Sequence, residues 1–125
     1  MTNELEKMFR AYVECALWSS TDEDGYLSET HSSCDLAPET ERRMRQDCLR
    51  FLRRASSVVP EELLSKSVPE FGHCFWLTRN RHGSGFFDSA LLKEYSNLLT
   101  PMAEQEGEQD LYVGDDGKLY IYQQE

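Results

Sequence analysis

The C-terminal segment restricts the fold more than any other part of the chain. Residues 111–113 and 119–122 are two β-prone runs in which aliphatic and tyrosine side chains alternate. The stretch 114–118 between them contains an Asp-Gly pair, which is typical of a tight turn between antiparallel strands. The segment therefore predicts a β-hairpin.

Two N-terminal stretches have the apolar periodicity of amphipathic helices. Apolar residues recur at steps of three and four from Leu5 to Leu17, which predicts a first helix. Pro38 is suited to the first turn of a second helix, and the apolar stripe that follows predicts that this helix runs to about Ser56. A short helical turn is expected after Pro60, because two glutamates and two leucines follow it.

Residues 71–88 are predicted to form a second hairpin. Aromatic, β-prone residues come before and after a stretch rich in turn-forming residues at 80–85. Asp88 or Ser89 then begins a third predicted helix, which ends between about Glu104 and Gly107.

Together these segments predict one α+β domain that covers residues 1–125. The order ααββαββ predicts an antiparallel sheet of about four strands with the helices packed on one face, because hairpins pair locally and a sheet face must be covered. Residues 21–37 are rich in aspartate, glutamate and serine and are predicted to form a long acidic loop.

Charge and composition argue against several classes of function. The 125-residue chain has a formal net charge of -10, although six arginines cluster at 42–54. Direct nucleic-acid binding is not expected, because it needs clustered positive charge on the surface. No apolar run approaches the roughly 18 residues of a membrane span, and the N-terminus lacks a secretion signal, so we expect a cytoplasmic protein. The four widely spaced cysteines predict free thiols that mostly serve as small core residues.

The densest group of reactive side chains lies in the predicted central hairpin. If this segment holds an active site, His73, Arg79, His82 and Asp88 would converge beside it, as in a histidine-dependent enzyme. His73, His82 and Asp88 would also supply two nitrogens and a carboxylate for zinc or iron, but their spacing matches no standard ligand pattern. Alternation along a strand places His73 and Cys74 on opposite faces, which disfavours a Cys-His dyad. No cofactor is predicted.

Residues 72–88 follow the pattern G-H-x-F-W-L-T-R-x-x-H-G-x-G-F-x-D, and residues 110–118 contain L-Y-V-G-D-D-G-K. Together with residues 16–21 and 35–40, these motifs resemble a family of small bacteriophage proteins with no settled activity. The family pattern often has an acidic residue at the position of Cys74. The resemblance spans nearly the whole chain and implies a protein of the host-cell cytosol.

The resemblance also implies a binding role, because small acidic phage proteins without catalytic motifs often inhibit or modulate a host protein. Counter-defence inhibitors, including anti-CRISPR-like and nucleic-acid-mimicking proteins, are examples. Acidic surface can compete for basic, nucleic-acid-binding grooves, so we expect a host protein with a basic surface as the partner. A metal- or histidine-dependent enzyme and a virion structural or assembly protein are the alternatives. The predicted contacts are eleven carboxylates: Asp22, Glu23, Asp24, Glu29, Asp35, Glu104, Glu106, Glu108, Asp110, Asp115 and Asp116.

Overall fold

In the computed structural model, which describes residues 2–123, five α-helices pack together with two small β-hairpins. The α+β class is confirmed, and helices dominate it. Short 3-10 turns connect several of these elements. The helices are α1 (Thr2–Ser19), α2 (Pro38–Ala55), α3 (Glu61–Lys66), α4 (Val68–Arg79) and α5 (Ser96–Glu104), and the strands are β1 (Thr21–Asp22), β2 (Gly25–Tyr26), β3 (Gln109–Val113) and β4 (Leu119–Gln123).

Helices α1, α2 and α3 confirm the predictions made from the N-terminal half of the chain. α2 begins at Pro38 and has acidic side chains in its first turn and arginines in its last. This distribution suits the helix dipole, which favours negative charge at the N-terminus and positive charge at the C-terminus. The apolar stripe of α2 is buried, as its periodicity indicated.

The hairpin predicted for residues 71–88 is wrong, because most of its first half belongs to α4. The aromatic run is β-prone in isolation, but as a helix it is buried on nearly every side, and tertiary packing overrides local propensity. α4 lies very close to α1: a Cβ atom on Gly72 would stand 2.2 Å from the backbone oxygen of Met8. The predicted turn residues instead lead out of α4, and Gly83 and Gly85 adopt positive φ values there.

The four-stranded sheet and the order ααββαββ are also wrong. β3 and β4 confirm the C-terminal hairpin and pair antiparallel from Gln109 opposite Gln123 to Val113 opposite Leu119. The other pair, β1 and β2, lies inside the predicted acidic loop and forms a separate two-stranded sheet. The observed order is αββααααββ. The third predicted helix is confined to α5, and 3-10 turns occupy its expected first half.

Stacked aromatic rings form the centre of the core. Phe51 of α2 stacks on Phe75 of α4 with ring centroids 4.3 Å apart. Tyr12 of α1 stacks on the same Phe75 ring at 5.2 Å, and Phe86 stacks on Phe51 at 5.7 Å. Offset stacking of this kind adds to the stabilisation from burial. The rings join α1, α2, α4 and the segment after α4 into one core.

The cysteines confirm the prediction of free thiols that mostly serve as small core residues. Cys15, Cys48 and Cys74 are buried, Cys34 is exposed, and all four are free. Within residues 2–123, no helix combines the length and apolar character needed to cross a membrane.

Candidate functional site

The four residues considered for catalysis do not converge. Arg79 is fully buried, whereas His73, His82 and Asp88 are exposed. Because the segment is helical, His73 and Arg79 lie six positions apart on different sides of α4. His73 and Asp88 line one groove, and His82 lines a neighbouring hollow. The predicted histidine-dependent centre is not assembled.

The helical structure of residues 68–79 also separates the residues considered as metal ligands. In the part of the chain that the structure describes, no three or more His, Cys, Asp or Glu side chains are grouped so that they could hold a metal ion. The three candidates His73, His82 and Asp88 therefore do not form a site together, since His82 lies outside the groove that the other two share.

Arg79 is the centre of a buried hydrogen-bond network. Its guanidinium donates to the hydroxyl of Tyr12 and to the carboxylate of Asp47, both at 2.9 Å. It also donates to the backbone oxygens of Glu106 at 2.9 Å and Gly107 at 2.8 Å. Burial alone would raise the pKa of Asp47, but the hydrogen bonds and positive charge of Arg79 outweigh burial, and the pKa is lowered. Arg79 is therefore a structural residue whose charge is compensated inside the protein.

Most other residues of the block that carries the resemblance also build the fold. Trp76 is buried, and its indole N–H donates to Oγ of Ser19 at 2.9 Å. Gly85 lies directly against Thr78, because a Cβ atom at Gly85 would stand 2.1 Å from the threonine Oγ1. His73 differs from these residues: it is exposed and lines a groove.

This groove, which we name the α1–α4 groove, has a volume of about 700 Å³ and lies between α1, α4 and the loop that follows α4. Its floor is apolar and includes Ala11, Leu77 and the thiols of Cys15 and Cys74. Burial raises the pKa of Cys15 to about 12. The thiol therefore stays protonated and behaves as an apolar group rather than as a nucleophile.

Three carboxylates lie around the α1–α4 groove: Glu14 of α1, Glu70 of α4 and Asp88 of the following loop. Glu70 accepts a hydrogen bond from Oγ of Ser89, and Asp88 accepts one from a backbone N–H at 3.3 Å. Burial, with the charges of Glu70 and Asp88, raises the pKa of Cys74 to about 12. No lysine or arginine is among the described residues that line the groove, which is therefore negative.

Trp18 forms an aromatic wall of the α1–α4 groove. Its side chain is 61% exposed, although it follows a run of buried residues on α1. Its ring centroid lies 6.2 Å from that of His73, with the two rings tilted by 38°. An exposed tryptophan beside a concave surface can supply a large contact area to a group bound there.

Two of the eleven predicted contact carboxylates are already paired with arginines of the protein. Glu106 forms ion pairs with Arg50 and Arg54, and its side chain is only 6% exposed. Glu104 forms an ion pair with Arg81 at 3.4 Å. These ion pairs compensate much of the negative charge of Glu104 and Glu106 within the fold.

Four of the six arginines of α2 also pair with carboxylates: Arg43, Arg45, Arg50 and Arg54. Arg45 bonds to Glu6 and Glu41, and its guanidinium lies 4.0 Å from the ring centroid of Phe9. Arg43 bonds to Asp47 at 3.2 Å. These pairs compensate much of the positive charge of the arginine cluster.

Most of the remaining predicted contacts lie on or directly beside two neighbouring hairpins. β1 packs beside β3, which brings the acidic loop next to the C-terminal hairpin. On the hairpin, Asp110 is opposite Tyr122 and Tyr112 is opposite Tyr120, so these side chains project from the same face. We name the acidic and tyrosine residues of these two neighbouring hairpins, together with Glu108, the acidic tyrosine face. All are exposed except the half-buried Tyr120: Asp22, Glu23, Asp24, Tyr26, Glu108, Asp110, Tyr112, Asp115, Asp116, Tyr120 and Tyr122.

Two other predicted contacts have local structural roles in the acidic loop. Glu29 accepts a hydrogen bond from the backbone N–H of Tyr26 at 3.1 Å. Asp35 accepts one from the backbone N–H of Ser32 at 2.9 Å. Both carboxylates stabilise 3-10 turns that hold the loop in one shape.

No family model matches this chain, and comparison with curated proteins and with solved structures finds no match either. The resemblance to small phage proteins stays a prediction. The function is therefore inferred from the surfaces of the protein itself.

Proposed function

We propose that this protein is a non-catalytic binding protein whose acidic tyrosine face occupies a basic surface of a host protein and inhibits or modulates it. The observation that supports this proposal is the packing of β1 beside β3, which brings the two acidic segments of the sequence next to each other. The phage context and the counter-defence role come from the resemblance and are part of the proposal.

The charge on this face is available to a partner. The salt bridges of the described residues include none from a lysine or arginine to Asp22, Glu23 or Asp24, or to Glu108. All four side chains are exposed. Such charges attract a basic partner during encounter and raise the association rate, and this effect weakens as salt concentration increases.

The tyrosines supply the contact area that charge alone does not provide. Tyr26, Tyr112 and Tyr122 are all exposed. Tyrosine combines a large apolar ring with a hydrogen-bonding hydroxyl, and it is enriched in protein interfaces. The carboxylates can take the place of the phosphates, and the tyrosine rings the place of the bases, that a basic groove normally contacts. The face therefore suits a partner whose own function is to bind nucleic acid.

Affinity purification from an infected or expressing host, followed by identification of the co-eluting protein, provides the partner. The triple variant D22N/E23Q/D24N should then bind that partner about tenfold or more weakly at low salt, and its affinity should depend less on salt. The matched control is E61Q/E62Q/E94Q, which removes the same charge from exposed positions outside the face. Equal affinities for the two triple variants would overturn the proposal.

The two alternatives differ in what supports them. No observation favours a histidine-dependent enzyme, since the four candidate residues are dispersed. The virion alternative stays a prediction, and mass spectrometry of purified particles tests it. Detection of the chain at stoichiometric amounts in particles would favour that alternative over a cytosolic inhibitor.

A further inference from the structure

The α1–α4 groove has its own chemistry and shares no lining residue with the acidic tyrosine face, although Trp18 of the groove and Tyr26 of the face border the same small hollow. Its floor is apolar, and its volume of about 700 Å³ is sufficient for a long side chain and part of the peptide that carries it. The protonated thiols of Cys15 and Cys74 contribute to the floor. The groove therefore suits a ligand side chain that has an apolar stem.

The carboxylates define the charge that the ligand must have. Glu14, Glu70 and Asp88 lie on three different segments around the groove, so its negative charge comes from three parts of the chain and favours a positively charged ligand. The hydrogen bonds that hold Glu70 and Asp88 reduce the entropy that these side chains would lose on binding.

Trp18 favours arginine over lysine as the side chain that binds in the groove. Arginine has a planar guanidinium that stacks on an aromatic ring while its N–H groups donate to carboxylates, whereas the lysine ammonium is compact and strongly hydrated. An exposed tryptophan beside carboxylates provides both kinds of contact in one groove.

We propose that the α1–α4 groove binds an arginine side chain of the host protein, with the guanidinium on Trp18 and among Glu14, Glu70 and Asp88. This inference rests on the proposed function for the identity of the partner. The acidic tyrosine face would attract the host protein by charge, and the groove would then hold one arginine of that protein.

The groove can be tested without the partner, by titration with a short acetylated and amidated peptide that contains one arginine. Tryptophan fluorescence reports binding, because Trp18 is exposed whereas Trp76 is buried at 1% exposure. The same peptide with citrulline keeps the shape but loses the charge, and we expect it to bind about tenfold more weakly. A lysine peptide should also bind more weakly than the arginine peptide. Equal affinity of the arginine and citrulline peptides would overturn the inference.

Variants assign the effect to the groove. E14Q and D88N should each weaken binding of the arginine peptide severalfold, because each removes one charge from the groove. W18F is followed by calorimetry and should weaken it as well. E61Q, which removes a charge outside the groove, should leave the affinity unchanged. If E61Q weakens binding as much as E14Q does, the peptide is attracted by net charge alone and the inference fails.

The proposal for the acidic tyrosine face and the proposal for the groove can be refuted independently of each other. D22N/E23Q/D24N should bind the arginine peptide as the unmodified protein does, since these residues lie outside the α1–α4 groove. Loss of host-protein binding in this variant with retained peptide binding supports both proposals. Peptide binding that is lost in this variant would place the arginine site on the acidic tyrosine face and refute the groove.

Discussion

The buried network around Arg79 and the acidic tyrosine face use charge in opposite ways. In the network, Arg79 and Asp47 have no exposed side-chain surface, and each is held by several hydrogen bonds. On the face, Asp22, Glu23 and Asp24 are exposed to solvent. A net charge of -10 therefore does not describe the protein well, because its charges divide into those that support the fold and those that are open to a partner.

The largest expected effect belongs to the buried network. Asp47→Ala leaves the guanidinium of Arg79 buried without its counter-charge, and we expect the free energy of unfolding to fall by about 3–5 kcal/mol. Urea denaturation measures the change. Glu62→Gln is the control, because its ion pair with Lys66 at 4.0 Å is exposed, and it should cost less than about 0.5 kcal/mol. Similar losses in both variants would remove the distinction between the two kinds of charge.

Glu106 and Glu108 provide a matched pair only two residues apart. Glu106→Gln breaks ion pairs of a nearly buried carboxylate with Arg50 and Arg54, and we expect a loss of about 1–3 kcal/mol in stability. Glu108→Gln changes an exposed side chain and should change stability by less than about 0.5 kcal/mol. Denaturation of the two variants side by side checks this, and a greater loss at Glu108 would contradict our assignment of roles.

The pH dependence of stability should also separate the network from the surface. The pKa of Asp47 is lowered in the folded protein, so its ionised form contributes stability above its unfolded pKa of about 3.9. That contribution is lost as the pH falls through the lower, folded-state pKa, so we expect the free energy of unfolding to decrease over this range. Urea denaturation from pH 5 to pH 2 measures it. Asp47→Asn should flatten this dependence more than Asp116→Asn does, since Asp116 is exposed.

The smallest expected change is in the stability of the triple variant of the acidic tyrosine face. D22N/E23Q/D24N removes exposed charges that form no salt bridge with a lysine or arginine among the described residues, so the free energy of unfolding should stay within about 0.5 kcal/mol of the original value. Thermal and urea denaturation check this. A loss above about 1 kcal/mol would show that these carboxylates support the fold, and reduced binding by the variant would then need another explanation.

The sequence predicts best the elements whose signals are local. The periodicity of α1 and α2 and the Asp-Gly turn between β3 and β4 each lie within a short stretch of chain. α4 could not be recognised in this way. It is buried on nearly every side, so it lacks an amphipathic pattern, and Phe75, Trp76 and Thr78 are β-prone residues. Gly72 within the aromatic run was an available signal of close helix packing.

The candidate site was less predictable than the fold, because it depends on contacts between distant parts of the sequence. The α1–α4 groove brings Glu14 and Trp18 next to Glu70 and Asp88, and a wrong secondary structure for α4 hides this proximity. The sequence does contain one indication of the buried ion pair between Arg79 and Asp47. Asp47 lies next to Cys48 on the apolar stripe of α2, where an acidic residue needs a compensating charge. The acidic segments themselves were visible from composition alone.

The position of Arg79 also has a consequence for how the protein opens. One guanidinium contacts Tyr12 of α1, Asp47 of α2 and the backbone at Glu106 and Gly107, just before β3. If the C-terminal hairpin detached alone, two of these acceptors would be lost in an apolar interior. We therefore expect the amides of β3 and β4 to exchange with solvent deuterium at a rate close to that of the helical core, so that the hairpin and the helices unfold as one cooperative unit.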